Sequence, residues 1–362
     1  MANRVHNFCA GPCTLPLEVL REAQEEFVDY RGAGMSLVEM SHRGDLYGEV
    51  HQRATALAGE VFAAPEDFHV LFIQGGASLQ FAMAPMNLLA AGGSGAYVNS
   101  GVWAAGAIQD GAHHGDIYTV WDGAGCGFTR MPEDEELQLR DGTRYLHLTS
   151  NETIGGIRFA RWPQAAVPLV GDMSSDYMSR PVAWEKFDLV YGGVQKNLGP
   201  SGTALVFARK SVVDNPPQKI ARYLRYDIHA RSDSMFNTPP VFSIYMVGKV
   251  LQWIKNNGGV PAMEKMAARK SAKLYRVIDA SGGYYSNPVD PGCRSHMNVI
   301  FRLPDEGREK LFLAEAEAAG LVNLKGHRSV GGCRASIYNA MPEAGVDALA
   351  QLMEDFQGRN GG

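Results

Sequence analysis

Lys196 stands where a lysine is costly. An apolar run, Phe187, Leu189, Val190 and Tyr191, reads as a buried strand and stops at Gly192-Gly193. The loop GVQKNLGPSGT follows, and a second apolar run, Ala204-Leu205-Val206-Phe207, begins directly after it. An ammonium held between two core strands loses solvation, so its pKa falls. The neutral amine that results can attack a carbonyl and form a Schiff base. The plain alternative is a solvated loop lysine. A phosphate-binding GxxxxGK[ST] loop is absent, because Asn197 follows Lys196.

Asp172 is the second candidate. It ends the strand-like run VPLVGD and is followed by Met173-Ser174-Ser175-Asp176. In a parallel sheet, Asp172 and Lys196 both lie at carboxyl ends of neighbouring strands, where α/β folds bind ligands. A carboxylate beside a lysine Schiff base points to pyridoxal phosphate, whose ring nitrogen it keeps protonated so that the ring accepts electrons from a carbanion. Taken alone, an aspartate here is also a turn or helix cap.

Further candidates surround this pair. Gln74-Gly75-Gly76-Ala77-Ser78 joins the strand HVLFI to a helix, and a strand, a glycine turn and a helix N-terminus make an anion site from backbone N–H groups. Trp103 opens a helix after Ser100-Gly101-Val102 and suits either stacking on a flat ring or anchoring a core. Thr153, in SNETIGG, suits a polar contact or a turn. Thr238 precedes Pro239 and is therefore extended, which projects Asn237 and Thr238 outward or caps the next helix. His42-Arg43 and the loop GHRSVGGCRAS, with His327, Arg328 and Arg334, gather cations that fit a small dianion or an ordinary basic surface.

These residues need a frame. With 362 residues, 45 % apolar and 20 % charged, the chain is long enough for two globular units. A net charge of -5 argues against a nucleic-acid surface. Five cysteines without regular spacing suit a reducing compartment, and no Cys/His cluster suggests a metal. No stretch has the pattern of a signal segment or a membrane span, so a cytoplasmic location is expected. Periodicity predicts helices at 15–30, 46–62, 241–255, 260–280, 305–319 and 343–356. Strands are expected at 69–73, 96–99, 117–120, 145–149, 297–302 and 334–338, beside the three runs at 167–172, 187–191 and 204–207. The stretch 122–141 reads as surface loop and helix, and Gly258-Gly259 as a boundary.

Five motifs, NFCAGPCTLP, MSHRG, SNETIGG, GVQKNLGPSGT and GHRSVGGCRASIYNAMP, occur in an order that closely resembles the phosphoserine aminotransferase family. These are class-V aminotransferases among the fold type I pyridoxal-phosphate enzymes, and the resemblance covers essentially the whole chain. It implies an α/β architecture: a large three-layer αβα domain at 16–257 with a mainly parallel sheet, and a smaller α+β domain at 258–362 joined by the arm 1–15, which packs near the active site. It implies that Lys196 holds the cofactor and moves protons, while Asp172 stabilises the ring nitrogen. Ala77, Ser78, Trp103, Thr153, Gln195, Asn237 and Thr238 become cofactor contacts, the last two reaching the other subunit of a homodimer. Arg334 becomes the partner of the substrate α-carboxylate, with His42, Arg43, His327 and Arg328 at the distal anion. Some relatives carry Arg at the fourth residue of the Gly75-Gly76-Ala77-Ser78 turn, where this chain has Ser78; if the two places match, one substrate-anion contact is missing here. The implied reaction is glutamate-dependent amination of 3-phosphohydroxypyruvate, with 4-phosphohydroxythreonine as a possible second product. Neither a membrane nor a nucleic acid is an expected partner.

Two other readings remain. One is a relative of the same superfamily, another small-amino-acid transaminase or a cysteine desulfurase; a desulfurase needs a nucleophilic thiol on a mobile loop, and Cys293 and Cys333 are candidates by position. A non-catalytic cofactor-binding sensor would normally carry a basic DNA-binding region, and none precedes this fold.

Overall fold

The computed structural model describes residues 4–217 and 219–361. Its largest sheet has seven strands, β1 Phe68–Gln74, β2 Ser94–Asn99, β3 Asp116–Asp122, β4 Thr143–Thr149, β5 Leu169–Asp172, β6 Phe187–Gly193 and β7 Thr203–Arg209, in the spatial order β1-β7-β6-β5-β4-β2-β3. The neighbours from β6 to β3 run parallel. Only β7 is reversed, antiparallel to β1 and β6. Reversal lets β7 follow β6 through one short loop with no crossover helix. That loop carries Lys196.

Alternation along the strands divides the core. On β7, Ala204, Val206 and Ala208 face one hydrophobic cluster, while Leu205 and Phe207 face another. β6 repeats this from Leu189 onward, with Leu189 and Tyr191 against Val190, while Phe187 joins Val190's cluster across an irregularity in the pairing with β5. Strands apolar on both faces must be covered on both, which produces three layers. One face takes α3 Gly76–Leu88 and α4 Val102–Gly111, through Phe81, Met83, Leu88 and Ala107. The other takes α2 Asp45–Val61 and α5 Val241–Asn256, through Tyr47, Leu57, Val247 and Leu251.

A second core contains Leu274 and Ile278 of α6 Gly259–Ala280, Phe312 of α7 Glu306–Ala318 and Met353 and Phe356 of α8 Glu343–Asn360. The antiparallel strands Asn298–Phe301 and Cys333–Ser336 add Val299, Phe301 and Ala335. Phe8 inserts from the N-terminal arm, where His6–Asn7 pairs in parallel with Leu321–Val322. The helix α6 spans both cores, because its Val260 and Met263 belong to the first.

Three expectations change at their edges. The helix expected at 15–30 is α1 Leu17–Glu25, after which Phe27 and Val28 are exposed while Tyr30 turns back into the core against Tyr245. The stretch 122–141 forms only the short turns Gly123–Cys126 and Asp134–Glu136 between β3 and β4. The strand expected at 334–338 is Cys333–Ser336, so Arg334 lies within it rather than at its start.

Candidate active site

At the carboxyl ends of the parallel strands lies a cavity of about 580 Å³. Its walls include Gly11, Ala77, Ser78, Trp103, Thr153, Asp172, Gln195, Lys196, His327 and Arg334. Register explains why distant residues meet here: Thr149 of β4 lies opposite Asp172 of β5, and Asp172 opposite Tyr191 of β6. Each chain therefore leaves the sheet at the same level.

Lys196 is buried, and its Nζ donates to Thr153 Oγ1 at 2.6 Å. Burial lowers its pKa, with Asp172 and Glu152 opposing the shift. The backbone on either side is fixed by the arm, since Cys13 N–H donates to the Gln195 carbonyl at 3.1 Å and the Cys13 thiol to the Lys196 carbonyl. Gly11 packs against the lysine stem; a Cβ there would lie 3.4 Å from Lys196 Cγ, and the backbone has φ +152°. The arm is thus part of the site.

Asp172 is buried at the cavity floor. Its Oδ1 accepts from Ser174 N–H at 3.0 Å and from Ser174 Oγ at 2.5 Å. Among the described residues no donor reaches Oδ2. Desolvation raises the Asp172 pKa, opposed first by Lys196 and then by Ser174. A carboxylate with one oxygen free in a cavity is suited to a cationic ring N–H.

The helix α3 begins at the cavity wall, and its N-cap Gly75, at φ 96°, makes no side-chain cap bond. First-turn N–H groups with no capping side chain are an anion cradle. Opposite, Arg334 is half-buried with no acidic partner among the described residues, and burial lowers its pKa. An unpaired guanidinium in a cavity awaits an anion. A phosphate at α3, a pyridinium at Asp172 and an aldehyde at Lys196 are the three groups this wall accommodates. The donor set fits pyridoxal phosphate.

Several expected residues lie elsewhere in the single chain. His42 and Arg43 do not line the cavity, and neither does exposed Arg328, although His327 does. Asn237 and Thr238 meet Gln74 instead: Asn237 Nδ2 donates to Gln74 Oε1 at 3.2 Å, and Gln74 Nε2 to the Thr238 carbonyl at 3.0 Å. The desulfurase candidates are also elsewhere. Cys333 is in the second core with its thiol pKa raised by burial, and Cys293 Sγ accepts from Met131 N–H at 3.4 Å.

Sequence reasoning missed Glu152 and Ser174, and through the resemblance it brought the arm near the site without singling out Gly11 or Cys13. Ser174 could have been found as the residue two after a strand-end aspartate, the spacing of an Asx turn. Nothing local marks the others.

The comparisons with known proteins agree with this geometry. A family model described as aminotransferase class-V matches residues 5–349. Phosphoserine aminotransferase of Niallia circulans is 49% identical over 362 residues, 100% of both chains. That of Bacillus subtilis is 45% identical over 357 residues, 99% of both. Among solved structures, phosphoserine aminotransferase from Bacillus circulans subsp. alkalophilus superposes with TM-score 0.97 at 49% identity, covering 100% of both chains. The PLP-bound phosphoserine aminotransferase from Trichomonas vaginalis gives TM-score 0.93 at 36% identity, over 97% of this chain and 100% of that one.

Proposed function

The chain belongs to the class-V aminotransferase family, and from that premise we propose that it is a pyridoxal-phosphate-dependent phosphoserine aminotransferase. It moves an amino group between the glutamate/2-oxoglutarate pair and the 3-phosphohydroxypyruvate/O-phospho-L-serine pair, in two half-reactions. The observation that carries this reading is the single cavity holding a buried Lys196, a half-satisfied Asp172 and an unpaired Arg334. A second substrate, 4-phosphohydroxy-L-threonine, fits the same chemistry.

When bound, pyridoxal phosphate supplies an aldehyde that takes up the amino group and a protonated ring that accepts the electron pair left at the substrate α-carbon. The residues do the rest. Lys196 would carry the cofactor covalently, and its freed Nζ would take the proton from the substrate α-carbon as a base and deliver it as an acid to the cofactor's C4′, the carbon that bears the transferred amino group. Burial keeps that amine less basic than a solvated lysine, which suits a group that must both accept and release a proton. Asp172 supplies the negative charge that holds a ring nitrogen protonated. Arg334 pairs with the substrate α-carboxylate, and the α3 N-terminus with Ala77 and Ser78 takes the cofactor phosphate. Trp103 and Gln195 wall the cavity.

The cations for a distal carboxylate or phosphate come partly from a second copy. Phe27, Val28, Met35, Val38 and Leu46 are exposed apolar side chains in the stretch 27–46 that also carries His42 and Arg43. Covering that surface in a homodimer would carry these cations, and Asn237 with Thr238, toward the partner's cavity. The two separate cores support a division into a large domain at 16–257 and a small domain at 258–362 with the arm. Among the described residues no helix is long and apolar enough to cross a membrane. Five free cysteines support a cytoplasmic home.

The test is a visible spectrum of the purified protein before and after glutamate, then after 3-phosphohydroxypyruvate, with K196A alongside. A cofactor band that glutamate removes and the phosphorylated oxo acid restores, absent in K196A, is expected. Restoration only by a different oxo acid overturns the substrate, and no Lys196-dependent band overturns the function.

A further inference from the structure

Glu152 is a buried carboxylate with no cationic partner within hydrogen-bond reach among the described residues, although it sits one residue before Thr153. Such a group is expensive to keep. Its hydrogen bonds show what it holds. Oε1 accepts from Ala104 N–H at 2.9 Å, and Oε2 accepts from Trp103 N–H at 3.2 Å. Ser100 Oγ donates to Oε1 at 3.5 Å. These are the first-turn donors of α4, whose own N-cap residue, Gly101, has no side chain to offer them. The cap is therefore delivered by a residue from another element, and the absence of a side chain at Gly101 is what makes room for it. A Cβ at Gly101 would lie 2.8 Å from Glu152 Cδ.

The consequence falls on Trp103. Trp103 is 36% exposed, and no acceptor among the described residues takes its indole N–H. The place of the ring is thus set by its backbone, which Glu152 holds. The ring centroid lies 5.2 Å from Lys196 Nζ. Glu152 and Thr153 are consecutive in the small hairpin formed by Asn151–Glu152 and Ile157–Arg158. One peptide thus holds the ring's helix through Glu152 and the lysine amine through Thr153.

We propose that Glu152 is a positioning residue that fixes the Trp103 indole relative to Lys196, so that the two arrive at the cofactor in register. Its effect on catalysis passes through the ring, and that part rests on Trp103 as a wall of the cofactor cavity. Burial raises the Glu152 carboxyl to about 7, and the Ala104 and Trp103 N–H groups pull the other way.

The experiment begins without cofactor. The near-UV circular dichroism of the apo protein minus that of W103A isolates the indole signal. E152Q presents an amide N–H to one of the backbone donors and is expected to remove most of that signal while retaining a wild-type far-UV spectrum. G101A, which crowds the carboxylate from the other side, is expected to do the same. Cofactor affinity measured by equilibrium dialysis is then expected to weaken about tenfold in E152Q, the usual effect of one lost charge-assisted hydrogen bond. In a W103A background E152Q is expected to weaken it less than about twofold, because the ring through which Glu152 acts is gone. An unchanged indole signal in both variants, or an equal loss of affinity with and without Trp103, overturns the proposal. A wild-type protein that binds no pyridoxal phosphate overturns the functional reading instead, and leaves the indole measurement standing.

Discussion

Arg334 and Asp172 bring opposite charges into one cavity, and each is left with bonding capacity that no neighbour among the described residues uses. For Arg334 the free group is a planar guanidinium, matched to a carboxylate by two parallel hydrogen bonds. R334K keeps the charge and loses the fork. Its KM for glutamate is expected to rise about 10- to 100-fold, the cost of one hydrogen bond between charged groups, with a smaller fall in kcat. An unchanged KM in steady-state assays would remove Arg334 from substrate binding. Asp172 makes a different prediction, because its work is electrostatic. D172N should still accept from Ser174 but lacks the charge facing the ring, so kcat should fall about 100-fold or more. A wild-type turnover rate in D172N would show that the ring needs no such charge.

Elements hold these residues by contacts that have their own pH dependence. The first turn of α8 is tied to α6 by Glu343, which Arg269 meets at 2.7 Å and Lys273 at 2.8 Å. These partners hold the Glu343 carboxyl down to about 2. Its pKa is lower in the folded than in the unfolded chain, where it is about 4.3. The stabilisation is therefore full above about pH 4.3 and is lost as pH falls toward 2. Solvent reaches all three side chains and screens the pair, so its worth is about 0.5–1 kcal/mol. E343Q should be less stable than wild type by that amount in urea titrations at pH 7, with the gap closing as pH falls below 4. A gap that stays constant down to pH 3 would show that the carboxylate's charge contributes nothing.

At the scale of the whole molecule the question is which cavity His42 and Arg43 serve. If each copy supplies them to its partner, H42A/R43A and K196A chains are separately inactive but complement each other. Random pairing makes about half of the dimers hybrid, each with one complete site, so the mixture should regain about a quarter of wild-type activity. No recovery from co-refolded chains would place the two residues in their own chain's cavity or outside the site altogether.

Much of this was legible before any coordinates. Lys196, Asp172 and the Gly75-Gly76 turn could be read because each interrupts or ends an apolar run, and a polar residue at a strand end has few places to go in a parallel sheet. The order of strands and helices was legible for the same reason, since burial on both faces leaves unbroken apolar runs. The antiparallel β7 was not, because a strand's direction is set by pairing and not by its own pattern. Helix α1 ended early for a related reason: Tyr30 gains more by packing on Tyr245 than by continuing a helical period. The five motifs, through the resemblance they carry, also pointed to the class of reaction.

Only the folded chain brought Glu152 under α4 and Cys13 against the Lys196 carbonyl. Each of these contacts joins residues far apart in sequence, and the chain between them carries no local mark of its end point. Periodicity and spacing record which face of an element is buried. Which two buried faces meet is decided by sheet register and by packing between layers, and those exist only in three dimensions.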